Sequence, residues 1–196
     1  MSLDRLGQGK EALAILSGEL ERQADIYHRG FGIRKDTIMR LLTPRPERLS
    51  KELIIPVVTL GTSVDLNRQA AFAGIQTSFY DPSRGYDIAG GITFDLPHLI
   101  WMDNGSTNMG RSVEWVRNHL PSPSEARPAT QYDGIALAIV SKFQDLLQNR
   151  VIHFPGTSVE PDSAPSLFIN EHGKPTLGLF HTHNSYKTFG PALSGS

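Results

Sequence analysis

The sequence predicts an α+β fold: an N-terminal helical pair, a central buried helix, and a largely antiparallel sheet with a C-terminal meander. Three observations carry this. Apolar residues recur at steps of three and four near the N-terminus and again after residue 130. Short branched-apolar runs are scattered through the middle and gather after residue 150. No regular strand–helix–strand alternation joins them, which argues against a parallel α/β sheet. A chain of 196 residues suits one hydrophobic core, so a single domain spanning 1–196 is expected, with residues 1–50 as a helical segment packed on an α+β core of 51–196.

Between Lys10 and Arg29, Leu13, Leu16, Leu20, Ala24 and Tyr27 fall on one face of an amphipathic helix that Gly30 can stop. A shorter helix follows, with Asp36 placed to cap it, Ile38, Leu41 and Leu42 facing inward, and Pro44 and Pro46 preventing its continuation. The run 53–60, LIIPVVTL, reads as a strand, and Pro56, which cannot donate to a ladder, favours an edge position. Asp65 to Phe72 suits one or two helical turns. HLIWMD at 98–103 reads as a strand ending in an Asn104-Gly105 turn, and Ser112 to Leu120 as a short helix. Thr130 is a good N-cap, with Asp133 three residues on, for a helix whose stripe is Ile135, Ile139, Phe143, Leu146 and Leu147. VIHF at 151–154, SLFIN at 166–170 and TLGLFHTH at 176–183 then read as strands. The last two are joined by a hairpin in which Gly173 can take a positive φ.

Composition excludes several functional classes. Net charge is −1, so no basic excess calls for nucleic acid. There are no cysteines, which removes disulfides, thiolate nucleophiles and cysteine-ligated metal centres and leaves only His and carboxylates for any metal. No stretch approaches the roughly 18 uncharged apolar residues of a membrane span and no leader pattern opens the chain, so a cytoplasmic protein without a membrane partner is expected.

The segment Gly178 to Ser185, GLFHTHNS, holds the one close histidine pair. On a strand, His181 and His183 would share a face with Cα atoms roughly 6 to 7 Å apart, a separation that two imidazoles can bridge to one zinc or iron ion. A third ligand would come from His153 or Asp162. The structural alternative is two polar residues at a strand end, with Thr182 turned inward. Isopeptidase-like metalloproteases also carry H-x-H after a strand, but they need an aspartate about ten residues on, and 184–196 contains no acid. The loop Gly156 to Ser163, GTSVEPDS, sets hydroxyls beside acids near His153, a pattern open to a nucleophile and its base or to a solvated loop. Trp101, Trp115, Phe143, Phe154, Phe168 and Phe180 recur at inward-facing periods and are read as packing.

Several short motifs occur in a shared order: Glu21-Arg-Gln-Ala-Asp with His28-Arg-Gly-Phe31, Trp101-Met-Asp-Asn-Gly105, Pro128 to Gly134, Phe143 to Asn149, Pro165 to Ile169, and Leu177-Gly178. In that order the chain resembles an uncharacterised bacterial domain family of about this length, found mostly in high-GC Gram-positive bacteria. The resemblance places Thr130, Asp133, Gly134, Asn149, Gly156, Pro165, Gly178, Asn184 and Gly190 at matching positions. The family tends to carry other residues where His181 and His183 stand. It implies one α+β domain and no particular reaction. The reading that follows is a small-molecule or protein-binding module using the C-terminal sheet edge and the loops 156–163 and 184–190, with Gly156, Thr157, Asp162 and Asn184 as candidate binding residues and no required cofactor. The competing reading is a metal-dependent hydrolase using His181, His183 and His153.

Overall fold

The computed structural model describes residues 3–46, 54–78, 80–87, 95–119, 126–141, 147 and 150–195. Helix α1 spans Leu3–Phe31 and α2 spans Lys35–Met39, and the two pack together as a pair. Leu16, Leu20, Ala24 and Tyr27 are buried, as their spacing predicts, while Leu13 is left 36% exposed. Gly30 does not stop the helix. It lies inside α1, where the Phe72 ring packs so closely that a Cβ would push the ring aside, and Gly32, with φ 72°, is the residue that turns the chain. Asp36 does not cap α2 either: Arg34 holds that position without a side-chain bond, and Asp36 pairs with Arg34 and Arg40 instead. Ile38 is buried, whereas Leu42 lies beyond the helix end and is exposed.

Strand β1, Ile55–Thr59, is an edge strand, as Pro56 predicts: its sheet runs β1-β3-β10-β4, where β3 is His98–Met102, β4 is Arg127–Pro128 and β10 is Leu193–Gly195. Every pairing in this sheet is antiparallel, with Pro56 opposite Trp101. The outer edge of β1 is closed by side chains of α1. The Gln23 amide donates to Pro56 O at 2.9 Å and accepts from Val58 N at 2.8 Å, and the Tyr27 hydroxyl donates to Val58 O at 2.5 Å. Gln23 thus meets the backbone on either side of Val57 as a residue of a parallel neighbouring strand would. This accounts for a glutamine at 0% exposure on the apolar face of a helix.

Helix α3, Leu66–Phe72, is capped by Asp65, whose side chain accepts from Arg68 N. The short β2, Tyr86–Asp87, pairs with β6, Thr157–Ser158. Helix α4, Val113–Asn118, is capped by Ser112. The central helix α5, Gln131–Val140, has the expected capping box: Thr130 accepts from Asp133 N while Asp133 accepts from Thr130 N. Asp133 is 2% exposed and also takes Arg127 at 2.9 Å and the Ser194 hydroxyl at 3.0 Å, so one carboxylate joins α5, β4 and β10. The helix ends at Val140, short of the predicted stripe. Its C-terminal carbonyl at Val140 is met by Arg22, 118 residues earlier, at 2.8 Å. Leu147 is buried, and Phe143 and Leu146 lie outside the described residues.

A second sheet runs β8-β7-β5-β9, with β5 Val151–His153, β7 Ser163–Ile169, β8 Pro175–His181 and β9 Phe189–Pro191. The β7–β8 hairpin turns through Gly173 at φ 72°. β9 then lies parallel to β5, and after Ala192 the chain crosses to the first sheet as β10. Ile152, Leu167 and Leu177 from this sheet, Ile100 and Val57 from the first, and Ile135 and Leu137 from α5 meet in one core. α5 is therefore wedged between the two sheets. No helix among the described residues is long and apolar enough to cross a membrane.

Candidate functional site

The histidines singled out from the sequence take three separate environments. β8 ends at His181, which is exposed, and Thr182 turns inward at 3% exposure with its N–H on Asp162 O at 2.8 Å. Residues 181 to 183 are exposed, buried and exposed in turn, so Thr182 points inward between two polar residues at the strand end. His183 binds Glu114 instead, Nδ1 to Oε2 at 2.7 Å, with Asp162 Oδ1 3.8 Å from Nε2. His153 is fully buried on β5. Its Nδ1 meets the Ser166 hydroxyl at 2.5 Å, and its ring lies edge-on to Phe180 and Phe189. Desolvation pushes the His153 imidazole down to about 4, so it is neutral at ordinary pH. Among the described residues, no three His, Asp or Glu side chains gather as a metal ion would need.

The segment 156–163 is buried at 156–158 and at Ser163 and exposed at 160–162. Gly156 donates to Ala129 O at 2.9 Å, and a Cβ there would stand 2.6 Å from Pro128 O, so only glycine permits the approach. Thr157 is buried, with its hydroxyl accepting from Gln131 N at 3.0 Å at the start of α5. Arg117 clamps the same segment through Pro155 O at 2.9 Å and Thr157 O at 3.0 Å, where burial lowers its pKa. Gly156 and Thr157 are thus committed to interior partners. Asp162 is exposed beside His183, and half-buried Asn184 donates to His181 O at 3.1 Å in the closing turn. Gly156 and Thr157 are therefore not brought to a common surface with the histidine pair. The half-buried Phe168 and Phe180 stack edge-on over the outer face of the second sheet instead of entering the core.

A different concavity is built where α1, β1 and the end of α5 meet. It is a groove of about 620 Å³. Its walls are Leu16 of α1, Ile55 and Pro56 of β1, Trp101 of β3 and Val140 of α5, with Ile15 and Ile54 at the rim. Ile15 is 69% and Ile54 68% exposed, an uncommon position for two isoleucines on neighbouring elements. The polar groups at the groove are Glu19, Arg22, Arg45 and Ser141. Arg22 forks onto Glu19, Nε to Oε2 at 2.9 Å and Nη2 to Oε1 at 2.5 Å, while Gln23 donates to the same Oε1 at 2.8 Å. Burial alone would raise the Glu19 carboxyl, but the bonds from Arg22 and Gln23 outweigh it and hold the group below its ordinary value. The bonds from Glu19 raise Arg22.

These groove residues are not the ones the sequence singled out. One signal was present: Ile15 breaks the polar face of α1, off the stripe formed by Leu13, Leu16, Leu20, Ala24 and Tyr27. The convergence of Arg22 on Val140 O, which shapes one end of the groove, has no local trace. The chain matches no protein-family model, no curated protein and no solved structure.

Proposed function

We propose that the protein is a small-molecule-binding module whose ligand lies in the groove between α1, β1 and the C-terminal end of α5. The observation that supports this is the groove itself: about 620 Å³ of concave, largely apolar wall with a few polar groups at its margin. Sites of this size and lining suit drug-sized ligands, whereas protein partners more often meet flatter and larger surfaces. The competing reading, a hydrolase built on His181, His183 and His153, lacks a comparable observation, since these side chains do not converge among the described residues.

N-phenyl-1-naphthylamine, a neutral dye that brightens in apolar sites, tests the proposal. The 196-residue chain should bind it with micromolar affinity, and Ile15→Glu and Ile54→Glu should each weaken binding at least tenfold. Both residues are exposed, so circular dichroism should show unchanged folding. Dye binding that is absent, or equal in the wild type and both variants, would remove the groove as the site.

A further inference from the structure

Taking the groove as the ligand site, we infer that its ligand is an uncharged, mainly hydrocarbon molecule, selected against anions and cations by an ion pair closed upon itself. Three charged residues, Glu19, Arg22 and Arg45, line the groove among the described residues. Glu19 and Arg22 are joined by two parallel bonds, which is the strong geometry for a carboxylate and a guanidinium. The guanidinium is further tied to Val140 O at the end of α5. The carboxylate is further tied to Gln23, which in turn holds the edge of β1. Arg45 is not free either.

The pair carries no net charge, so a ligand carboxylate or phosphate that approached the Nη1 edge of Arg22 would come up beside the Glu19 carboxylate as well. A ligand ammonium that approached Glu19 would meet the Arg22 guanidinium that already forks onto it. Each approach sets a like charge beside the ligand's own, and each places a charge against an apolar wall, where desolvation is penalised. A neutral ligand leaves the network intact and gains from covering Ile15, Ile54, Ile55 and Trp101. The pair also persists across the working pH range, because Glu19 is held low and Arg22 high.

Displacement of bound N-phenyl-1-naphthylamine by 1-decanol, decanoate and decylammonium, all below micelle formation, compares heads on one hydrocarbon body. Decanol should displace the dye at concentrations at least tenfold lower than either ion. Glu19→Gln, which leaves Arg22 uncompensated, should improve decanoate at least fivefold relative to decanol. Decanoate or decylammonium competing as well as decanol in the wild type would overturn the inference while leaving the groove as the site. An unchanged ranking in Glu19→Gln would show that the ion pair does not set selectivity. Failure of the dye and of all three competitors to bind would overturn the site and the inference together.

Discussion

Lowering the pH should destabilise the fold through His153. The ring is fully buried against Ser166, Phe180 and Phe189, and burial pushes its pKa from 6.5 down to about 4. The unfolded chain protonates this histidine below pH 6.5, while the folded chain keeps it neutral. Its contribution to stability is therefore complete above pH 6.5 and is lost as the pH falls toward 4. At roughly 1.4 kcal/mol per pH unit the full loss is about 3 kcal/mol, of which about 2 kcal/mol is reached by pH 5. Urea unfolding of the wild type and of His153→Leu at pH 7.5 and pH 5.0 isolates this group, because the carboxylates and the remaining histidines are common to both. The wild type should lose about 2 kcal/mol more than the variant between the two pH values. Equal losses would refute the claim that a buried neutral imidazole underlies the second sheet.

Two substitutions test the packing that frames the groove. Tyr27→Phe removes the hydroxyl that donates to Val58 O at 2.5 Å and leaves a buried carbonyl at the edge of β1 unpaired, so urea unfolding should show a loss of about 2 kcal/mol. Gly134→Ala, which in an exposed helix would stabilise by up to about 1 kcal/mol, should destabilise here because the new methyl would enter the Phe154 ring on the buried side of α5. A fall in Tm on calorimetry is expected, and a rise would contradict the described packing.

The parts of this fold that were legible in the sequence are those fixed by neighbours along the chain. The capping box at Thr130 and Asp133, the edge placement of Pro56 and the positive φ at Gly173 each follow from the chemistry of one or two residues. What could not be read depends on partners distant in sequence. The carbonyl at the end of α5, Val140 O, takes Arg22 from 118 residues away, and Gly30 lies within α1 with the Phe72 ring against it. The candidate site failed to emerge for the same reason. The histidine pair drew attention by spacing alone, yet the chain turns at Thr182, and His183 finds Glu114 69 residues away. Gly156 and Thr157, which looked like loop residues, serve the start of α5. The groove combines residues from 12 to 141, and only the misplaced apolar Ile15 marked it locally.

Photolabelling with a neutral alkyl-diazirine alcohol, followed by peptide mapping, locates a bound ligand directly. The account predicts labels within 12–22, at 54–56 and at Trp101, reduced by excess decanol. Decanol-protected labels confined to 156–163 and 184–190 would contradict it and return the site to the loops beside the histidine pair.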